Sequence, residues 1–151
     1  LFSQHADAAI FQSLPGAGAA LAPRLCAALG TNRQRFDAAA NVQALSGIAP
    51  VTKASGQSRL VQRRYACPAF LRQTFHEFAD PSRKHCAWAK ALYRHYRASG
   101  KKHHAAIRAL AFKWNRIIFK MWQTHTCYDD ARYQHQLQLK NPDLAKNLAS
   151  A

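Results

Sequence analysis

The stretch that decides the fold is KKHHAAIRALAFKWNRIIFKMW, residues 101–122. Its apolar side chains recur at the i, i+3, i+4, i+7 spacing of one helical face, and they are Ile107, Leu110, Ala111, Trp114, Ile118 and Met121. The spacing predicts a helix after Gly100 whose apolar face lies in the core. The opposite side carries Arg108, Lys113, Arg116 and Lys120, together with Phe112 and Phe119. These two rings could stack on bases, but packing against a second helix is the favoured explanation.

The rest of the chain also follows a helical pattern, apart from one segment between Gly47 and Pro68. An alanine-rich run ends at Gly30, where a glycine C-cap is expected. Asp80-Pro81-Ser82 is predicted to begin a further helix, and Asp129 or Asp130 to cap the last one. The sequence therefore predicts an all-α, compact multi-helix domain with a basic non-helical insertion.

The charge balance is strongly basic. Lys and Arg number 22 against 7 Asp and Glu, which gives a formal net charge of +15 and a pI of about 10.4. No acid occurs from Pro81 to Tyr128, a stretch that holds eleven Lys or Arg. Three Trp and eight Phe are interleaved with the charge, which argues against a disordered tail. The balance predicts a nucleic-acid partner, DNA or RNA, with a merely soluble basic surface as the alternative.

Several classes of protein are excluded by the sequence. No uncharged stretch reaches the ~20 apolar residues of a bilayer span, so we expect no membrane partner. The four cysteines lie far apart, which excludes zinc-ribbon spacing and favours reduced cytoplasmic thiols. The chain begins Leu1-Phe2-Ser3 without an initiator methionine or a signal-peptide pattern, which is typical of a piece of a longer protein.

A metal site is not predicted within this chain. Metal-dependent nuclease chemistry needs clustered carboxylates, and the neighbouring acids Glu77/Asp80 and Asp129/Asp130 are explained by helix capping. His103-His104 would point to different sides of a helix. These histidines are interpreted as solvated or phosphate-facing.

Leu14-Pro15-Gly16-Ala17-Gly18 has the form of a helix-hairpin-helix turn. In such a turn Gly16 and Gly18 let the backbone approach a phosphate, and the following helix offers free amides. It would bind nucleic acid without reading sequence. The alternative is an ordinary tight turn between two helices.

The segment 51–64 places Ser55 among cations without any acid; these are Lys53, Arg59, Arg63 and Arg64. Arginines near a serine could hold a scissile phosphate and stabilise charge on its oxygens during attack. On composition alone, a basic turn that touches phosphates is favoured over catalysis.

From Phe11 to about Tyr133, four blocks in order carry a family resemblance. They are Leu14 to Gly18, the block Leu45-Ser46-Gly47-Ile48-Ala49-Pro50 followed by Ser55-Gly56, Tyr93 to Lys102, and Ala109 to Trp114. In these blocks the chain resembles the C-terminal transposase domain of the insertion-sequence 110 family, with its 116 and 902 relatives.

The resemblance implies a longer protein with an N-terminal RuvC-like domain, whose four acidic residues bind Mg²⁺, joined to this domain by a coiled coil. It implies DNA recombination guided by a bridge-type RNA in a homo-oligomeric complex in the bacterial cytoplasm, at the nucleoid. The catalytic serine of the family falls on Ser55. The helix after Gly100 would then bind guide RNA or target DNA through its cations Lys101, Lys102, Arg108, Lys113 and Arg116.

The resemblance also divides the chain. Residues 1–10 would be the end of the connecting helix, residues 11–140 the transposase C-terminal domain, and residues 141–151 a frayed tail. Because the RuvC-like domain is absent, the chain by itself is expected to be inactive. The alternative is a non-catalytic helix-hairpin-helix module that binds DNA or RNA, or the inactive remnant of a transposase.

Overall fold

Residues 1–150, which the computed structural model describes, form eight α-helices and one small antiparallel sheet. In chain order these are α1 (Ala8–Gln12), α2 (Gly18–Leu29), α3 (Ala39–Leu45), β1 (Val51–Ser55), β2 (Ser58–Gln62), α4 (Ala69–His85), α5 (Ala87–Ala98), α6 (His103–Thr124), α7 (Asp130–Lys140) and α8 (Pro142–Ala149). Short 3-10 turns lie at Phe2–Gln4 and Arg33–Arg35. The predicted multi-helix architecture is confirmed, but the chain is not purely helical.

The departure from an all-α fold lies between α3 and α4, where β1 and β2 form a hairpin. Its register pairs Val51 with Gln62 at the base and Ser55 with Ser58 at the tip. Gly56 has a φ of +57° in the connecting turn, a conformation that glycine adopts without strain. Both strands are largely exposed, so the hairpin extends away from the core.

The apolar face predicted for α6 is confirmed. Ile107, Leu110 and Trp114 are closed to solvent, and Ile118 and Met121 are buried as well. The helices α3, α4 and α5 all pack against α6. The rings of α6 on the outer side are half-buried against the same core, which favours the packing explanation for them.

Trp114 is the centre of an aromatic cluster. Its ring centroid lies 5.2 Å from that of Phe78, 4.7 Å from that of Trp88 and 5.4 Å from that of Tyr128. Its indole N–H donates a 2.8 Å hydrogen bond to the hydroxyl of Ser82. One side chain of α6 therefore contacts α4, α5 and the segment that leads into α7.

The prediction that a new helix begins at Asp80-Pro81 was wrong. Helix α4 continues through Pro81, and the chain becomes extended only at Cys86, with φ −138° and ψ 118°. The proline removes one helical donor, while the Ser82 hydroxyl donates 2.7 Å to the carbonyl of Ala79 within the same turn. The buried apolar face of α4 explains why the helix continues past a residue that usually begins or ends one.

At the end of the chain, the structure agrees with the sequence-based prediction for one helix and differs from it for the next. Asp129 caps α7 as predicted, because its carboxylate accepts from the Arg132 amide at 3.1 Å. Residues 142–149, expected to be part of a frayed tail, form α8 instead. Asn141 caps this helix by accepting from the Leu144 amide at 3.1 Å, and α8 packs against α5.

All four cysteines are free thiols, and Cys26 and Cys86 are buried as packing residues. Burial is the main cause that raises the pKa of both of these thiols. Among the helices within residues 1–150, none has both the length and the apolar composition that crossing a bilayer requires.

Trp114→Ala is expected to lower the free energy of unfolding by ~3–5 kcal/mol, because a fully buried indole leaves a cavity when it is removed. Urea denaturation followed by circular dichroism measures the change. Tyr65→Ala is the control, since the Tyr65 ring is 73% exposed and its loss should cost no more than about 0.5 kcal/mol. Equal losses for the two variants would contradict the central position of Trp114.

Candidate nucleic-acid interface

Ser55 lies at the exposed tip of the β-hairpin. Directly opposite residues of an antiparallel pair point to the same face, and successive residues of a strand point to opposite faces. Because Ser55 is paired with Ser58 and Lys53 with Leu60, Lys53 and Ser58 share the face of Ser55. The serine hydroxyl is therefore accessible, with one cation on its own face.

The other three cations of the hairpin segment are placed differently. Arg59 is paired with Ala54 and so points to the face opposite Ser55. Arg63 follows the end of β2, about 17 Å along the strand from Ser58. Arg64 is half-buried, and its Nε has no hydrogen-bond partner within residues 1–150. The structure does not assemble the predicted clamp of four cations around Ser55.

Arg63 instead contributes to a cleft of about 410 Å³ between the base of the hairpin, α4 and the start of α6. We call this the basic cleft, and its lining residues are Arg63, Ala69, Arg72, Gln73, His76, Glu77, His104 and Arg108. Two of the sequence-predicted binding residues, Arg63 and Arg108, thus meet here from distant parts of the chain.

The single carboxylate of the basic cleft is already engaged. Glu77 accepts from Arg24 at 2.5 Å and from the Gln73 amide at 2.6 Å. These hydrogen bonds, that of Gln73 first, hold the pKa of Glu77 below its ordinary value. Arg63, Arg72 and Arg108 make no ion pair with a carboxylate of residues 1–150. The cleft therefore presents three guanidinium groups without a counter-charge.

Burial and neighbouring cations lower the pKa values of two groups in the cleft. Burial is the largest cause that lowers the pKa of His76, and the neighbouring His104 and Arg108 lower it further. The rings of His76 and His104 are 5.6 Å apart. Burial also lowers the pKa of Arg108, with Arg63 as the next cause. Each of these groups would gain from an anion in the cleft.

The start of α6 adds positive potential at the same place. Lys101 and Lys102 are exposed just before the helix, and no side chain caps its first turn. The N-terminus of a helix carries roughly half a positive charge and offers free amides to an anion. His103 is held by a 2.8 Å contact between its Nδ1 and the Tyr93 hydroxyl, whereas the neighbouring His104 lines the cleft.

A second and larger groove, of about 920 Å³, lies between the other half of α6 and α7. It contains the remaining predicted cations of α6, Lys113 and Arg116, with Lys120 beyond them and Arg132 from α7. Burial, followed by the proximity of Arg116, lowers the pKa of Lys113. The predicted nucleic-acid face of α6 is therefore divided between two cationic surfaces.

The Leu-Pro-Gly-Ala-Gly turn connects α1 to α2, and its two predicted glycines differ. Gly16 has a φ of +83° and packs so closely on α4 that an added Cβ would lie 3.0 Å from the carbonyl carbon of Pro81. Gly18 has a φ of +57° and faces open space. Only Gly18 and the first exposed residues of α2 are accessible to a ligand at this turn.

One group of side chains could hold a metal ion, namely His5, Asp7 and Cys26. However, Arg33 donates to both oxygens of Asp7, at 2.5 and 2.9 Å. Burial and the nearby Asp7 raise the pKa of Cys26, which favours the thiol over the thiolate that binds metals. The chemistry of the cluster therefore fits an ion pair that joins the N-terminal segment to the 3-10 turn Arg33–Arg35.

Sequence reasoning missed Arg72 and His76 as members of the basic cleft, and it gave His104 only as a solvated or phosphate-facing residue. A local signal existed, because Arg72 and His76 are spaced i, i+4 and share one face of α4. Their partners lie on other elements, and nothing in the order of residues indicates that contact.

His76 should titrate below the ordinary histidine value of about 6.5, because the folded chain buries the ring among cations. NMR of histidine ring protons against pH measures the midpoint, and His76→Gln assigns the signal. Arg108→Gln should raise the midpoint only in part, since burial is the largest cause. A midpoint at or above the ordinary value in the wild-type chain would contradict this description of the cleft.

Comparisons with known proteins agree with the features above. The model of the family described as Transposase IS116/IS110/IS902 matches residues 8–94. The IS117 mini-circle protein of Streptomyces coelicolor is 34% identical over 87% of this chain and 32% of its own length. The uncharacterized 42 kDa protein of insertion element IS900 from Mycobacterium paratuberculosis is 29% identical, over 86% of this chain and 33% of its own.

The uncharacterized 43.6 kDa protein of insertion element IS110 from Streptomyces coelicolor is likewise 29% identical, over 85% of this chain and 32% of its own length. The chain thus spans about a third of the length of these curated relatives. The family model covers more than half of the chain, from α1 across the hairpin and α4 into α5. The chain belongs to the IS116/IS110/IS902 family of transposases.

Proposed function

We propose that the chain is the C-terminal part of a DNA transposase in which Ser55 attacks a DNA phosphodiester. Family membership supports transposition as the activity. The proposed role of Ser55 is supported by its position at the exposed tip of the hairpin, on the same face as Lys53. A nucleophile for a polymeric substrate needs this access, and the lysine can attract the phosphate.

The proposed chemistry exchanges one phosphate ester for another. A bond forms between the Ser55 Oγ and phosphorus, the bond from phosphorus to one bridging deoxyribose oxygen breaks, and that oxygen leaves as a hydroxyl. Rejoining reverses these steps with a second strand end, so the ester energy is kept and no ATP is required. The serine proton passes to a general base, and the leaving oxygen takes up a proton in return, so no net proton is consumed. Residues 51–64 contain no His, Asp or Glu for this role, and Lys53 is their one lysine.

The remaining groups of the site are proposed to come from a RuvC-like domain that carries Mg²⁺. A bound divalent cation would polarise the phosphate and stabilise the leaving oxygen. A bridge-type guide RNA and a homo-oligomeric complex complete this proposal. It is compatible with the lengths of the curated relatives, which are about three times that of this chain.

The cationic surfaces would hold the nucleic acids in place. Lys113 and Arg116 in the larger groove, together with Lys101 and Lys102 at the start of α6, are proposed to contact phosphates of guide RNA or target DNA. The turn before α2 would act as a helix-hairpin-helix element, in which Gly18 and the free amides of α2 approach a phosphate.

The second candidate function is a non-catalytic module that binds DNA or RNA. The observation that favours it is that most of the predicted cations do not meet at Ser55, since Arg59 points away and Arg63 lies at the base of the hairpin. In this alternative Ser55 is only a turn residue. The two candidates make different predictions for a covalent adduct.

Binding of the chain to duplex DNA is expected to weaken steeply with salt, by about 0.9 log units per log unit of salt for each phosphate neutralised. Fluorescence anisotropy between roughly 50 and 200 mM salt measures the slope. Replacing both Lys113 and Arg116 by Gln should lower the slope by up to about two. Gln136→Ala, in the same groove, removes no charge and should leave it unchanged. An affinity for DNA that does not change with salt concentration would contradict the proposed phosphate contacts.

Ser55→Ala is expected to abolish the covalent adduct between protein and DNA. The measurement uses this chain joined to a RuvC-like domain of the family, with guide RNA and magnesium, and detects the adduct by denaturing electrophoresis. DNA binding should change little, because the substitution removes no charge. Ser58→Ala is the matched control, since Ser58 lies directly opposite Ser55 on the same face.

The pair of variants separates the possible outcomes. If Ser58→Ala loses the adduct and Ser55→Ala keeps it, the nucleophile is assigned to the wrong strand. If both variants form the adduct as the wild type does, the non-catalytic module is the better description of this chain.

A further inference from the structure

The basic cleft is a separate surface from the hairpin tip, and it brings together cations from three elements. Arg63 follows β2, Arg72 lies on α4 and Arg108 lies on α6. Like charges that converge in this way repel one another in the free protein. Their only facing carboxylate, Glu77, is bound by Arg24 and Gln73. The volume of about 410 Å³ is in the range that accommodates a small group such as one nucleotide.

The groups that line the cleft suit a phosphate. The uncapped start of α6 lies beside it, and free helical amides bind phosphate oxygens well. Arginine forks match the geometry of phosphate oxygens with two hydrogen bonds at once. Two histidines, His76 and His104, stand at the wall with ring centroids 5.6 Å apart, and each neutral imidazole has one N–H that can donate to a phosphate oxygen.

Two exposed aromatic rings lie near residues that line the same cleft. Tyr65 is 73% exposed, its ring lies 5.4 Å from the Arg63 guanidinium, and it is near enough to Arg108 to influence the pKa of that side chain. Phe70 is 47% exposed on the first turn of α4. Rings open to solvent next to a cationic groove are the arrangement in which unpaired bases stack. Paired bases in a duplex do not offer their faces in this way.

We propose that the basic cleft binds the sugar-phosphate backbone of a single nucleic-acid strand, with Tyr65 as a stacking surface for one of its bases. Arg63, Arg72 and Arg108 hold the phosphate, and the start of α6 contributes its amides. The inference rests on the proposed function in one respect, that the polyanion is a nucleic acid. It does not require Ser55 to be the nucleophile.

The position of the cleft suggests how a strand would run. Arg63 lies about 17 Å along β2 from the hairpin tip. A phosphate in the cleft is therefore several nucleotides away from one at Ser55. The cleft then holds the strand that leads to or from the tip.

The test measures binding of the 151-residue chain to fluorescent strands of about 12 nucleotides, within the usual site size of single-strand binding folds. Single-stranded DNA, single-stranded RNA of the same sequence and duplex DNA are compared. Arg108→Gln should weaken single-strand binding about tenfold or more. Arg94→Gln removes the same charge at an exposed residue that lines neither cationic surface, and it should weaken binding less than about threefold, as loss of net charge alone would.

A second pair of variants tests the aromatic contact without risk to the fold, because Tyr65 is exposed. Tyr65→Ala should weaken single-strand binding by about tenfold, whereas Tyr65→Phe keeps the ring and should bind nearly as the wild type does. Photo-crosslinking of a strand that carries a halogenated pyrimidine should label Tyr65. Whichever of DNA and RNA binds more tightly identifies the source of the strand.

Two results would overturn the inference. Equal losses for Arg108→Gln and Arg94→Gln would show that only net charge matters. If duplex DNA binds as tightly as a single strand, and Tyr65→Ala binds as tightly as the wild type, the ligand of the cleft is not a single strand. The proposed function fails separately: Ser55→Ala should leave these affinities unchanged, and an adduct that survives Ser55→Ala says nothing against the cleft.

Discussion

The burial of Trp114 is the interaction on which the rest of the structure depends. Its indole contacts the rings of Phe78 and Trp88 and donates a hydrogen bond to Ser82. One side chain therefore fixes α6 against α4 and α5, and Tyr128 brings the segment before α7 into the same cluster. Because the apolar face of α6 is committed to this core, its charged residues have to lie on the solvent side, where they line the two cationic surfaces.

That constraint explains how a single helix serves two surfaces. The first turns of α6 carry Arg108 to the basic cleft, and later turns carry Lys113 and Arg116 to the larger groove. Arg108 and Arg116 are about 12 Å apart along the helix axis. The rigid packing of the core keeps this spacing constant, which suits a ligand whose charges are regularly spaced, as the phosphates of nucleic acids are.

The hairpin, in contrast to α6, is exposed on both faces and contributes little to the core. An isolated two-stranded hairpin is marginal in water, and here the exposed Leu60 and Val61 are 56% accessible. The tip carries a serine and a lysine but no general base. A composite site, completed by groups from elsewhere in a longer protein, is consistent with both properties. Because the other catalytic groups would come from elsewhere, the composition of residues 51–64 by itself favours a simple basic turn over catalysis.

The sequence by itself determined the helical class, the buried face of α6, a cap of the α7 helix at Asp129 or Asp130, and the family, because periodicity, capping and ordered blocks are readable along the chain. Tertiary structure alone decided the rest. Packing of its apolar face carried α4 past Pro81, against the local preference of proline. Strand register turned Arg59 away from Ser55, although the two are four residues apart. The cations of the basic cleft meet only after folding, because such contacts depend on how separate elements pack and not on any local pattern.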